Sequence, residues 1–421
     1  MDILLQQVKV IHEGSALHHK KVDILIRDGN IEKIAKSINK PKDVPIWHQP
    51  NAHVSIGWLD IGTQIAEPGY EHRETIASVS RAAAAGGFTG IACFPNTNPC
   101  LDSKSPIQYV QQRALGEIID LYPIGAISQS CAGHEMTEMI DMYTAGAVAF
   151  SDGIHSIEKN GLLLRALEYA KTLDGLIISS PQENVISKNG VMNEGKISIS
   201  LGLPGIPDML EKLMTIRDIE LCKYAEGRML IHGISTPESL KVIKAAKKDK
   251  VRVQSSISYM HLVSDETLLS TFDPNYKILP PLRTEKQRKS MVKAVDQGDI
   301  DVIHSQHIPI ENEGKEKEFF YADFGIIGLE TCFAATNTLC HDDLRLDRLV
   351  HCLSIGPREV LRLPVTDIAE GHMANLTLFD PQYEWSYSEN KIQSKSKNSP
   401  FIGRSFVGKA LAIINKNQIL E

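Results

Sequence analysis

The 421-residue chain has no apolar run long enough to cross a bilayer, and its opening residues, "MDILLQQVKVIH", alternate like a strand instead of joining a basic segment to an apolar core. A membrane span and a secretory leader are therefore not expected, and the cytoplasm is the expected compartment. Basic charge is not in excess: 45 Lys and Arg stand against 52 Asp and Glu, for a net charge of -7 with the signs mixed along the chain. Nothing supplies the basic face that nucleic acid requires. The seven cysteines are scattered, odd in number and never spaced as Cys-x-x-Cys. They read as reduced core thiols, not as disulfides or a zinc knuckle. No internal repeat is present, and the one biased stretch, "NKIQSKSKNS" (390–399), reads as a solvated polar loop. A phosphate-cradling loop is missing too, because the glycines of "AAAAGGFTG" (82–90) fall at a helix-to-strand turn, where a helix C-cap is the natural use.

What is present is a regular alternation. Short apolar strand candidates such as "GFTGIACFP", "LYPIGAIS", "AVAFSD", "LIISSP", "RMLIHGIS", "RVQSSIS" and "IDVIHSQ" are interleaved with helical stretches, among them "NGLLLRALEYAKTL" and "PESLKVIKAAKK". Strand-then-helix alternation of this length predicts an α/β fold, a parallel (β/α)8 barrel whose functional positions gather at the C-terminal strand ends. The first 55 residues behave differently, with alternating runs broken by turns, as at Asp28-Gly29 between Ile26 and Ile31. The last fifty or so do the same. A composite β-sandwich from 1–55 and 365–421, beside a barrel spanning 56–364, is the expected domain plan.

Residues 57 to 69 read Gly-Trp-Leu-Asp-Ile-Gly-Thr-Gln-Ile-Ala-Glu-Pro-Gly. Together with "EHRETIASVSRAAAAGGFTGIACFPNTNP" (71–99), "GAVAFSDG" (146–153), "MNEGKISISLGLPGIPDMLE" (192–211), "PPLRTEKQRKSM" (280–291), "FGIIGLET" (324–331) and "SPFIGRSFVGKALAIINKNQI" (399–419), the stretch resembles dihydroorotases of the amidohydrolase superfamily. The resemblance is to the long-chain type that associates with aspartate carbamoyltransferase, and it covers nearly the whole chain. It implies a metal-dependent hydrolase barrel. A fold does not carry its activity with it.

Position by position, the resemblance implies a zinc centre whose ligands have been replaced. The His-x-His pair expected at the first strand end is Gly62 and Gln64, although side chains at i and i+2 would share one face and could grip one ion. Asp152 is retained after strand 4, but Gly153 follows it where relatives have a second acid. The ligand place after strand 5 is Ser180, and that after strand 6 is Gly233. His232 precedes Gly233 by one residue, which predicts a side chain turned away from the barrel mouth. The general-base place after strand 8 is Gln306, whose amide has no basic site near neutral pH. Of the groups that hold the substrate in relatives, this chain has Ala66 and Leu279 in place of an Arg and an Asn, and retains Asn96 and His307.

The expectation from these positions is a dihydroorotase-like protein of pyrimidine synthesis without catalysis and without a cofactor. Its role would be structural or regulatory, it would form a homodimer, and its partner would be aspartate carbamoyltransferase or an active dihydroorotase. Two alternatives stand beside it. One is a working cyclic amidohydrolase with a rearranged zinc site built from Asp152, His304, His307 and His232. The other is a small-molecule sensor that uses the pocket around Asn96 and His307. For His304 and His307, a hydrogen-bonded core role is the plainer expectation. Ser180 or Ser305 as a nucleophile would need a neighbouring base, and only His307 is near in sequence.

Overall fold

Trp58 and Phe88 face outward and Leu59 and Ile61 face inward on the first barrel strands, and this two-residue alternation sorts the apolar residues into separate layers. The computed structural model describes residues 1–421. Eight strands form the barrel: β1 (Trp58–Thr63), β2 (Phe88–Cys93), β3 (Asp120–Gly125), β4 (Ala149–Phe150), β5 (Leu176–Ser179), β6 (Arg228–Ile231), β7 (Val253–Ser258) and β8 (Val302–His304). Their order in the sheet follows their order in the chain, and every pairing is parallel. The seam between β1 and β8 is drawn together by Asp60, which accepts the Ser305 amide at 2.7 Å and the Ser305 hydroxyl at 2.7 Å. Inside lies a core of 12 buried apolar residues, and outside it a layer of 76 joins strands to helices.

The helices are α1 (Ile76–Ala85), α2 (Lys104–Arg113), α3 (Met139–Thr144), α4 (Asn160–Lys171), α5 (Met209–Ala225), α6 (Pro237–Lys248) and α7 (Glu285–Asp296), with further helices after β8. Several start at a side-chain cap that satisfies orphan amides. Thr75, Thr236 and Thr284 accept from the amides of Ser78, Ser239 and Gln287, and Pro237 occupies the first turn of α6, where no amide partner is needed.

Both chain ends build a second eight-stranded sheet. The Asp28-Gly29 turn joins Lys21–Arg27 to Asn30–Ala35 as a hairpin. Leu376–Ser386 pairs antiparallel with His53–Ile56 and so sews the late residues to the early ones. Both ends contribute to one core of 18 buried apolar residues. This unit is seated on the barrel by aromatic contact, with Trp58 lying 4.8 Å from Phe333 and 5.4 Å from Phe379 between ring centroids. Thr377 adds a relay across the junction, accepting from the Trp58 amide at 3.1 Å and donating to the Gly87 carbonyl at 2.7 Å.

The stretch 390–399 departs from its expected surface role. Ser394, Ser396, Asn398 and Ser399 are buried. Ser394 donates its hydroxyl and Lys395 its amide to Glu74, while Asn398 bridges the Ile308 carbonyl and the Ile310 amide. Polar composition alone does not distinguish a solvated loop from one whose hydroxyls meet a buried carboxylate.

Candidate functional site

At the C-terminal ends of the strands the barrel opens on a cavity of about 320 Å³. Its walls include Phe94, Ile154, Leu279, Ile308 and Phe324, and no Asp, Glu, Lys or Arg is among the residues that line it. Gly62, Ser180, Gly233 and Gln306 reach this cavity, together with His232 and His304.

Gly62 sits where the pairing of β1 with β2 slips by a residue, and its φ is +94°, a conformation that side chains rarely adopt. A Cβ added there would meet Cε1 and Nε2 of His232 at 2.8 Å and Phe94 at 3.0 Å. The volume of the missing side chain has thus been taken by His232 and Phe94, whose rings pack edge to face at 5.1 Å. This corrects the expectation that His232 turns away from the mouth. Leu230 points into the barrel interior, so the two-residue period brings His232 inward as well, and Gly233, at φ +74°, turns the chain only after it.

His232 and His304 are tilted neighbours with centroids 4.1 Å apart, and both are buried. Burial keeps each neutral, pushing His232 down to about 3 and His304 well below its ordinary value, with the neighbouring imidazoles adding to the effect at His304. His304 Nδ1 accepts the Gln306 backbone amide at 3.2 Å, which leaves its proton on Nε2, and that N–H has no partner. Gln306 donates its side-chain amide to the Leu279 carbonyl at 2.6 Å, while its own Oε1 is buried without a donor. Two residues that line the mouth thus each carry a buried polar atom without a partner, one a donor and one an acceptor.

The other singled-out residues go elsewhere. Asp152 lines neither this cavity nor the next. Its Oδ1 accepts the amides of Ile127 and Ser128 at 2.9 and 2.8 Å, and Oδ2 takes the Ser128 hydroxyl. It ties down the loop after β3. A Cβ on Gly153 would stand 1.8 Å from Asn96 Oδ1, so Asn96 fills the place of the second acid. Ser180 donates to the Gly153 carbonyl at 3.0 Å and has no base beside it.

Gln64, Ala66 and Asn96 line a second cavity, of about 200 Å³, and Ile154 and His155 are shared with the first. Gln64 and Gly62, two residues apart, thus serve different cavities, because the slip in the strand at Gly62 breaks the alternation. His307 reaches neither cavity. Its Nδ1 accepts the Gly328 amide at 3.3 Å and its Nε2 faces Glu74 at 3.4 Å, in a buried pair under the 390–399 segment. Its expected place in a substrate pocket is corrected accordingly. Sequence reasoning also missed the pairing of Cys100 with Cys131, whose sulfurs are 2.9 Å apart across two loops. No spacing signal marks it.

The family model described as dihydro-orotase-like matches residues 53–239. The chain is 36% identical to a dihydroorotase of Syntrophus aciditrophicus over 423 residues, covering 100% of this chain and 99% of that one. It is likewise 36% identical to a dihydroorotase of Carboxydothermus hydrogenoformans, covering 92% and 91%. The chain belongs to the dihydroorotase-like family. Solved structures share the fold: an L-hydantoinase (dihydropyrimidinase) from Arthrobacter aurescens superposes with a TM-score of 0.88 at 20% identity, covering 99% of this chain and 95% of that one. A dihydropyrimidinase from Brevibacillus agri gives 0.83 at 18%, covering 100% and 95%.

Zinc, the metal that the family resemblance implies, needs three or four converging N, O or S donors. The mouth of this dihydroorotase-like chain does not supply them. No carboxylate or thiol lines it, and His304 has one ring nitrogen accepting a backbone N–H and the other carrying the proton. The group of His18, His19 and Asp347, which does converge, lies on the outer surface. There too His18 Nδ1 accepts a backbone amide, from His12 at 3.1 Å, so its Nε2 carries the proton and stands 3.8 Å from the Asp347 carboxylate.

Proposed function

We propose that this dihydroorotase-like chain is a non-catalytic member of its family with a structural or regulatory role in pyrimidine synthesis. The observation that carries the reading is the ring of His232 standing in the space that a ligand side chain at Gly62 would need. Reconstruction of the His-x-His pair at positions 62 and 64 is thereby blocked sterically. The group at the general-base place, Gln306, is an amide already donating to a backbone carbonyl. An assembly role is supported by α5, which carries large apolar side chains on its outer side as well as on its buried one. Met209, Leu213, Ile216 and Tyr224 recur at helical spacing on its outer side and are 60%, 47%, 39% and 76% exposed.

The experiment uses pure protein prepared without chelators. Metal analysis is expected to give far less than one zinc per chain, hydrolysis of dihydroorotate is expected to stay at the buffer rate, and sedimentation is expected to give a dimer. Stoichiometric zinc accompanied by turnover overturns the non-catalytic reading, and a monomer overturns the assembly role.

A second reading, a small-molecule sensor, is favoured by the unpaired His304 Nε2–H and Gln306 Oε1, buried atoms of two residues that line the mouth. Buried groups of this kind each forgo about 1–3 kcal/mol that a complementary ligand restores. With no cation on the walls, an uncharged ring amide suits the cavity and a carboxylate does not. Millimolar uracil is expected to raise the melting temperature and orotate to leave it unchanged. Loss of the uracil shift in Gln306→Leu is the corroborating result, and an equal shift with orotate sinks the reading.

A further inference from the structure

Cys100 and Cys131 are 31 residues apart in sequence, on the loops that follow β2 and β3. The two loops are already fastened to each other next to the sulfurs, by residues that follow Cys100 and residues that precede Cys131. Ala126 donates its amide to the Leu101 carbonyl at 2.8 Å, and Ser130 donates its amide to Asp102 Oδ2 at 2.9 Å. Ser130 and Cys131 both hold φ of 53°, a left-handed backbone that non-glycine residues adopt only when their surroundings impose it. That conformation brings the Cys131 sulfur to within 2.9 Å of the Cys100 sulfur. Both line the smaller cavity, and Cys100 is half-buried whereas Cys131 is 7% exposed.

We propose that Cys100 and Cys131 are a modification site, a preorganised dithiol that closes to a disulfide by exchange with a low-molecular-weight disulfide and so clasps the two loops across the smaller cavity. The better-exposed Cys100 reacts first. Its thiolate attacks one sulfur of the reagent, the reagent's S–S bond breaks, and the departing sulfur leaves with the electron pair and takes up the proton that Cys100 released. Cys131 then gives up its proton and attacks the Cys100 sulfur, expelling the second reagent thiolate, which takes that proton. Two protein thiols are oxidised and one reagent disulfide is reduced to two thiols. Contact with Cys100, burial, and the carboxylates of Asp152 and Asp102 all push the Cys131 thiol up, which assigns it the resolving step.

The test exposes the native chain to oxidised glutathione at about pH 8, blocks residual thiols, and maps peptides without reduction. The expected product is a Cys100–Cys131 cross-linked peptide and an intact mass about 2 Da below that of the reduced chain, reversed by dithiothreitol. In Cys131→Ser the resolving thiol is gone, so glutathione is expected to accumulate on Cys100. The proposal is overturned by a native chain whose Cys100 and Cys131 are both recovered blocked as thiols, or as separate glutathione adducts. It is equally overturned if the cross-link forms no faster in the native chain than in urea, since preorganisation is what the fold supplies.

Discussion

Acidification from neutral pH is expected to destabilise the chain and unfold it before pH 4, with the loss beginning at about 6.5, above the range in which ordinary carboxylates titrate. Three fully buried histidines drive the effect. His232 and His261 are pushed down by burial to about 3 and about 4, and His304 is pushed well below its ordinary value by the same cause. In the unfolded chain each titrates at 6.5. Between 6.5 and the folded values the unfolded state binds more protons, so stability rises with pH and is lost as pH falls. At pH 5, His232 and His261 together cost roughly 4 kcal/mol, a large share of a net stability that is typically 5–15 kcal/mol. Burial of Asp60, Asp152 and Asp218 raises their carboxyls and opposes the loss, because the folded state then takes up those protons first. Glu74 and Glu211, held below the usual range by their donors despite burial, add to the loss at lower pH. Far-ultraviolet circular dichroism and the fluorescence of buried Trp58 report the transition. Substituting His232→Asn is expected to move the midpoint to lower pH. A native signal that persists to pH 4 contradicts the account.

The other large effect is expected from Arg283→Met. Arg283 is 3% exposed and spends its guanidinium on three partners: Ser235 Oγ at 2.9 Å, Asn193 Oδ1 at 2.7 Å and Glu211 Oε2 at 3.3 Å. Glu211, equally buried, accepts the amides of Ser235 and Thr236 and both their hydroxyls, which fixes the turn between β6 and α6. Removing the arginine leaves that carboxylate charged without a countercharge, a change that costs about 3–5 kcal/mol. The urea midpoint should fall accordingly. In the double variant Arg283→Met with Glu211→Gln the loss should be smaller, since no bare charge remains. If the single substitution lowers stability by less than about 1 kcal/mol, the pair is not the clamp it is taken to be.

This clamp bears on how far the sequence could be read. Asn193 and Glu211 fall in one segment that carries the family resemblance and Arg283 in another, and they turn out to join the two around the strand-6 end. The retained motifs report architecture, and the altered positions between them report chemistry. The barrel was legible because strand and helix periods differ and each apolar run announces its own layer. The direction of His232 was not, because it depends on the register of β6 against the interior, which Leu230 sets and no local pattern displays. The split of Gly62 and Gln64 between two cavities has the same origin, a slip in the pairing of β1. The burial of 390–399 was hidden for another reason: Ser394 and Lys395 find Glu74 and Asn398 finds the 308–310 backbone, partners 88 or more residues away in every case.

The sewing of early residues to late ones also sets a timetable. Trp58 receives its partner Thr377 from 319 residues further along the chain. At about 5–20 residues per second, a ribosome takes roughly 16–64 s to deliver it. Through that interval the apolar edge of His53–Ile56 and the Glu74 carboxylate stand without their closing partners. The nascent chain passes most of its synthesis as an unfinished barrel, and the final tenth of its length decides when its surface becomes safe from aggregation.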